Sequence, residues 1–240
     1  MSEHKASDTE AVCLITGVGP GTGSALVKCF TEAGYTVAML ARSADRLRAL
    51  ESALPNAHAF PCDVADAANM AAAIDEVRGK LGAPKIVIHN AVGGTFGDFL
   101  QVNPDDLMHN FQVNVMALLH LARLTVPHMI EAGGGALICT GNTSAYRGKP
   151  NFAAFAPTKA AQRILLESIA RRVGPSGVHA AYVAIDAVID VPRMRTRMSD
   201  KPDSFFSNPD EIAAECFRIA HQPRSAWSFH VEIRPFGEIW

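Results

Sequence analysis

The sequence lacks the features of most membrane, disulfide-rich and nucleic-acid-binding proteins. Its formal net charge is −2, so no charge excess favours nucleic acid or an anionic membrane. No apolar run reaches the roughly 18 residues of a membrane span. The odd number of cysteines and the absence of C-x-x-C pairs argue against a disulfide framework and a zinc site, and they favour a reducing, cytoplasmic location. The five cysteines are Cys13, Cys29, Cys62, Cys139 and Cys216.

The composition is that of an ordinary globular protein, with 48% apolar and 19% charged residues in 240. A chain of this size suffices for one large core, so we expect a single domain over residues 11–240. Residues 1–10, MSEHKASDTE, are polar and lack an apolar core. We therefore expect a flexible tail there and not a secretory signal.

Apolar runs typical of strands alternate with segments of helical periodicity. The predicted strands are 11–16, 36–41, 58–61, 85–89, 136–140, 178–185 and 228–234. The predicted helices are 21–33, 44–54, 65–81, 104–131, 151–173 and 208–221. This alternation predicts a Rossmann-type, doubly wound parallel sheet of about seven strands with helices on both faces. We expect a kink near Pro127 and a substrate loop at about 190–207.

A glycine-rich loop connects the first strand to the first helix. It reads T-G-x-x-x-G-x-G, with Thr16, Gly17, Gly21 and Gly23 at the fixed positions. Glycine lets the backbone approach a diphosphate closely, and the helix N-terminus adds positive charge. The pattern at this junction predicts a dinucleotide site, although a glycine-rich turn without a ligand remains the alternative.

The end of the second strand indicates which dinucleotide is bound. An NAD site favours a carboxylate here, whereas an arginine suits a 2′-phosphate. Arg42 and Ser43 occupy this position, so we predict NADP (NADPH). The alternative is a solvated arginine at a helix start.

With these motifs the chain resembles the short-chain dehydrogenase/reductase family over about residues 10–235. The resemblance implies that Asp63 and Val64 contact the adenine, although Asp63 is also a candidate helix N-cap. It further implies cofactor contacts through Asn90 and Ala91, and a backbone contact from Ile189 or its neighbour to the carboxamide.

The catalytic positions that the resemblance implies are only partly filled. The family uses a serine, a tyrosine and a lysine. Lys159 is present, whereas Phe155 stands at the tyrosine position and Asn142 at the serine position. Phenylalanine cannot transfer a proton. Tyr146 is the best replacement donor, Ser144 is a weaker one, and the resemblance implies that Asn114 holds a proton-relay water.

Two functions therefore stay open. The first is an NADP-dependent oxidoreductase with a rearranged proton relay, acting on a small carbonyl, alcohol or conjugated C=C substrate. The second is a disabled NADP-binding sensor or scaffold. We expect no metal, nucleic-acid or membrane partner. Apolar residues surround both long helices, including Leu118 and Leu165, and the resemblance implies that these helices pair in a homodimer or homotetramer.

Overall fold

The computed structural model describes residues 11–237. Seven parallel strands form one sheet in the order β3-β2-β1-β4-β5-β6-β9, and β7 and β8 form a separate two-stranded pair. The strands are β1 (Val12–Thr16), β2 (Thr36–Ala41), β3 (Ala57–Pro61), β4 (Pro84–His89), β5 (Gly135–Gly141), β6 (Val178–Ile185), β7 (Val188–Ile189), β8 (Phe206–Ser207) and β9 (His230–Ile233). The predicted single-domain, doubly wound fold is confirmed. The predicted tail lies outside the described residues.

Helices cover both faces of the sheet. They are α1 (Thr22–Glu32), α2 (Ala44–Ala53), α3 (Ala67–Leu81), α4 (Pro104–Phe111), α5 (Ala117–Glu131), α6 (Ala156–Val173), α7 (Pro192–Arg197) and α8 (Pro209–Ala220). Successive strand residues pack into two cores on opposite faces of the sheet. Leu14 packs on the side of α3, α5 and α6, and Ile15 packs on the side of α1, α2 and α8. Burial on both faces explains why the central strands read as continuous apolar runs.

The first long helix is interrupted at a different place from the one predicted. A π-helical turn at Gln112–Met116 separates α4 from α5, whereas Pro127 lies inside α5. A π turn inserts an extra residue and is often found at functional sites; here it carries Asn114. By length and composition Pro104–Glu131 could cross a membrane, but 56% of its apolar window is buried in the fold. We interpret it as a core helix.

The second long helix begins at residue 156 and not at 151 as predicted. Pro157 lies in its first turn, where the missing N–H of proline costs no hydrogen bond. Phe155 immediately precedes the helix, and its carbonyl accepts a hydrogen bond from the N–H of Lys159 at 3.2 Å. Phe155 and Lys159 therefore keep the spacing of one helical turn.

The predicted substrate loop contains short elements of its own. It includes α7, and β7 pairs in parallel with β8. Asn208 caps α8 as predicted, with its side chain accepting a hydrogen bond from the N–H of Asp210 at 2.9 Å. At the start of this segment, the side chains of Ile189 and Val191 lie beside Gly21 of the glycine-rich loop.

Candidate active site

One large cleft opens at the carboxyl ends of the parallel strands and has a volume of about 1060 Å³. It lies where the strand order reverses, with β2 on one side of β1 and β4 on the other. Ligands bind at this kind of switch point in open α/β sheets, because the loops that follow the strands diverge there. The cleft extends from the end of β2 to the start of α6.

The glycine-rich loop forms the floor of the cleft. Gly17 has φ +71°, and a Cβ atom there would lie 2.5 Å from the backbone of Ala91. A Cβ on Gly23 would lie 2.5 Å from the carbonyl oxygen of Gly17. Close packing therefore requires glycine at both positions. Gly17, Gly21 and Gly23 all line the cleft, as a phosphate-binding loop requires.

Thr16 does not reach the cleft with its side chain. It is fully buried, and its Oγ1 lies 3.1 Å from Nδ1 of His89 and accepts a long hydrogen bond from the N–H of Ala91. Thr16 therefore joins the ends of β1 and β4 beneath the cleft. Its predicted role in cofactor binding is limited in this structure to supporting the loop.

An arginine pair marks the β2 end of the cleft. Arg42, Ser43 and Arg46 all line it. Ser43 caps α2 by accepting a hydrogen bond from the N–H of Arg46. Within residues 11–237, neither the Arg42 nor the Arg46 guanidinium has an ion-pair partner. Two guanidinium groups without ion-pair partners at the same end of the cleft suit a phosphate group.

Asp63 and Val64 lie after β3 and line the same end of the cleft. The alternative reading of Asp63 as a helix N-cap is wrong, because α3 begins at residue 67 and is capped by Asp66. Asp63 instead accepts a hydrogen bond from the N–H of Ala65 at 3.0 Å, which shapes the turn before the helix. Both residues remain candidates for the adenine contact.

Asn90 and Ala91 connect the glycine-rich loop to the centre of the cleft, and both line it. The side-chain amide of Asn90 donates to the carbonyl of Gly17 at 2.9 Å, and its oxygen accepts from the hydroxyl of Thr140 at 2.9 Å. The loops after β1, β4 and β5 are thereby fixed to one another.

Asn142, Phe155 and Lys159 share the other end of the cleft. The side-chain oxygen of Asn142 accepts a hydrogen bond from the N–H of Ser144 at 2.6 Å, which leaves its NH₂ group available to donate. The Phe155 ring is 5% exposed, and ring centroids of Phe96 and Phe152 lie 4.6 and 6.2 Å from its own. An amide donor and a fixed apolar ring therefore stand at the positions where the resemblance implied two hydroxyl groups.

Lys159 is a buried cation at this end of the cleft. Its Nζ donates to the side-chain oxygen of Gln162 at 2.5 Å and lies 6.0 Å from the centre of the Phe155 ring. Burial lowers the pKa of Lys159 to about 8, partly offset by Cys139. A lysine with this pKa can hold or release a proton near neutral pH.

Asn114 lies in the π turn and is fully buried. Its side chain accepts from the N–H of Gly93 and donates to the Gly93 carbonyl and to the hydroxyl of Thr158. Its backbone carbonyl accepts from the amide of Gln162 at 2.7 Å. The side-chain amide of Gln162 thus contacts the backbone of Asn114, the residue to which the resemblance assigned a relay water.

Tyr146 and Ser144 are not among the residues that line the cleft. The Tyr146 ring packs between Arg163, at 5.2 Å, and His230, at 5.1 Å. Ser144 is buried in the short 3₁₀ turn that follows β5. The structure therefore does not bring either hydroxyl to the site, and their predicted catalytic roles gain no support from its geometry.

Ile189 lies in β7 and lines the cleft beside the glycine-rich loop. Nearby, the buried carboxylate of Asp186 pairs with Arg147 at 3.1 Å and accepts a hydrogen bond from Thr143. This pair fixes the loop after β5 against the end of β6. The carboxylate faces Arg147 and is not itself part of the cleft lining.

Sequence reasoning missed Arg46, Gln162 and Arg193. Arg46 and Arg193 line the cleft, and Gln162 holds Lys159. A signal existed for one of them, because Gln162 follows Lys159 by three residues on α6, and this spacing places two side chains on one face of a helix. Nothing in the local sequence marks Arg193.

The cleft fits a nicotinamide dinucleotide. The glycine-rich loop leaves its backbone close to the cleft, free guanidinium groups stand at one end, and a buried ammonium with an amide donor stands at the other. These groups match a diphosphate, a phosphate and a ribose or carbonyl in turn. Within residues 11–237 no cluster of three His, Cys, Asp or Glu side chains could hold a metal ion.

Comparisons with known proteins agree with this geometry. The profile of the family described as short chain dehydrogenase matches residues 11–202. An uncharacterized oxidoreductase of Mycobacterium tuberculosis H37Rv is 30% identical over 240 residues, covering 95% of this chain and 67% of the relative. D-erythrulose reductase of Gallus gallus is 28% identical, covering 86% and 79% of the two chains.

One solved structure of an oxidoreductase has the same fold as this chain. The NADPH-bound short chain oxidoreductase from Pseudomonas aeruginosa PAO1, described as containing an atypical catalytic center, superposes with a TM-score of 0.85. It is 26% identical, and the match covers 96% of this chain and 97% of that one.

Proposed function

The chain belongs to the short-chain dehydrogenase family, and on that premise we propose that this oxidoreductase uses NADP. We propose that it transfers a hydride between the nicotinamide and a small carbonyl, alcohol or conjugated C=C substrate, with a rearranged proton relay. One observation carries the proposal: a single cleft joins the free Arg42 and Arg46 guanidinium groups to the buried ammonium of Lys159.

The choice of NADP rests on Arg42 and Arg46. A phosphate placed between two unpaired guanidinium groups gains charge-assisted hydrogen bonds, whereas a ribose hydroxyl gains less. The NADPH-bound relative from Pseudomonas aeruginosa supports the same choice by analogy. Asp63 and Val64 would border the adenine, and the loop from Gly17 to Gly23 would hold the diphosphate.

Three residues at the other end of the cleft would act on the substrate. NADPH, when bound, supplies the hydride. The free NH₂ group of Asn142 is placed to donate a hydrogen bond to a substrate oxygen, and the Phe155 ring keeps water from that end of the cleft. Lys159 is a buried titratable group at this end, and its lowered pKa suits it to hold the proton that the reaction consumes.

A substrate screen with NADPH tests this function. The panel contains small ketones and enones, since the D-erythrulose reductase relative acts on a carbonyl compound and conjugated C=C bonds remain candidates. We expect NADPH oxidation with at least one class, lost in Lys159→Met. Binding of NADPH without turnover on either panel would instead support the second function below.

The second candidate function is a cofactor-binding sensor or scaffold without catalysis. The observation that favours it is that no tyrosine of the described residues lines the cleft. Phe155 has no hydroxyl, Tyr146 packs against Arg163 and His230, and the buried hydroxyl of Tyr182 is hydrogen-bonded to the backbone of Asn142. Because a lost general acid costs about 10²–10⁴-fold in rate, the two functions are separated by the variants considered in the Discussion.

A homodimer or homotetramer remains part of the proposal. Ile164 on α6 is 54% exposed, which suits an apolar contact with a second copy. Leu118, by contrast, is fully buried in the chain's own core, so it cannot face a partner. A cytoplasmic location likewise stays a prediction.

A further inference from the structure

Gln162 is a buried amide that bridges Lys159 and Asn114. It lies one turn after Lys159 on α6 and is fully buried. Its oxygen accepts from Nζ of Lys159 at 2.5 Å, and its NH₂ group donates to the backbone carbonyl of Asn114 at 2.7 Å. An ammonium has only donors and a carbonyl has only acceptors, so these two partners fix the orientation of the amide.

The other groups around Lys159 are uncharged near neutral pH. Burial and the nearby lysine lower the pKa of His89 to about 3, so the imidazole is neutral. Burial raises the pKa of Cys139 to about 12, so the thiol keeps its proton. Among the described residues, Gln162 alone accepts a hydrogen bond from Nζ. The stability of the charged lysine therefore depends strongly on this one amide.

The Asn114 side chain and backbone carbonyl near Gln162 are both hydrogen-bonded within the chain. All polar atoms of the Asn114 side chain are hydrogen-bonded within the chain, to Gly93 and Thr158. The Asn114 carbonyl faces the amide of Gln162.

We infer that Gln162 is a positioning residue for Lys159, which orients the ammonium group and stabilises its charged form. The inference rests on the proposed function only because that function makes Lys159 the residue that holds the reacting proton.

The protonation of Lys159 in the cofactor-free protein tests this directly. Lysine labelled with ¹³C at Cε is followed by NMR across a pH titration, and Lys159→Met identifies the resonance. A hydrogen bond to a charged group contributes enough that its loss shifts a pKa by about one unit or more. We therefore expect the midpoint to fall by about one pH unit in Gln162→Leu and to rise in Gln162→Glu, where a carboxylate faces the ammonium.

Gln112→Leu is the matched control, because Gln112 is exposed on the π turn; its midpoint should equal that of the intact protein. Thermal unfolding shows which variants fold. An unchanged midpoint in folded Gln162→Leu would overturn the inference. If that variant does not fold, Gln162→Glu decides: a raised midpoint supports the inference, and an unchanged or lowered one overturns it. NADPH affinity, measured separately, reports on the proposed function and leaves this result standing either way.

Discussion

Replacing Phe155 with tyrosine restores the missing phenol at a defined place. The ring is 5% exposed, lines the cleft with Asn142 and Lys159, and is held by Phe96 at 4.6 Å between centroids. Packing therefore fixes the ring, so the new hydroxyl enters the cleft without a change in fold. The measurement is the rate of NADPH oxidation on one ketone panel and one enone panel.

The size of the change separates the two functions. A positioned general acid contributes about 10²–10⁴-fold. If the chain already has a working relay, Phe155→Tyr should change the rate by less than about threefold, far below that range. If the protein is a disabled reductase, Phe155→Tyr combined with Asn142→Ser should raise the rate of carbonyl reduction from near zero, by an amount that approaches the 10²–10⁴-fold contribution of a general acid.

Phe152→Tyr is the matched control for this experiment. Phe152 belongs to the same aromatic cluster, with its centroid 6.2 Å from that of Phe155, but it is not part of the cleft lining. It should leave the rate unchanged under both functions. A gain of 10²-fold or more in Phe155→Tyr and none in Phe152→Tyr would refute the rearranged relay.

Three further predictions follow from particular side chains. Tyr146→Phe should leave the rate of NADPH oxidation nearly unchanged, because the ring packs on Arg163 outside the cleft. A loss of 10²-fold or more in this rate would show that Tyr146 acts as the general acid. Lys159→Met should raise the free energy of unfolding of the cofactor-free protein by roughly 1–3 kcal/mol at pH 7. Burial lowers the folded pKa of Lys159 to about 8, so the buried charge destabilises the folded protein fully below that pH. This destabilisation disappears as the pH rises past the unfolded pKa of about 10.4. Chemical denaturation of both proteins at about pH 7 and above about pH 10.4 measures it, and an equal difference in unfolding free energy at the two pH values would contradict the assignment. Ile164→Asp should shift sedimentation toward monomer, since Ile164 is 54% exposed on α6, and a variant that stays fully oligomeric would place the contact elsewhere.

The sequence predicted the fold and much of the cofactor end of the cleft. Buried strands and amphipathic helices carry local periodic signals, so their order could be assigned directly. The glycine-rich loop and Arg42 follow strands whose ends must meet at one edge of the sheet. The structure accordingly places Gly17, Gly23 and Arg42 in one cleft, although their contacts with a cofactor stay a prediction.

The other end of the cleft could not be predicted in the same way. Tyr146 lies within a few residues of Asn142, but the loop turns its ring toward α6 and β9, and no local pattern encodes that direction. Thr16 looked like a ligand contact and instead joins two strands. The role of Gln162 depends on the π turn, which brings the Asn114 carbonyl within its reach. These outcomes depend on packing between elements far apart in sequence.

The relative affinity of the intact protein for NADPH and NADH tests the central claim most directly. A charge-assisted contact to the 2′-phosphate contributes about 1.5–3 kcal/mol, so calorimetry should give at least about tenfold tighter binding of NADPH. Arg42→Ala should remove most of that preference. Arg48→Ala should not, because Arg48 pairs with Asp45 and is not part of the cleft lining. Equal affinities of the intact protein for the two cofactors would contradict the account.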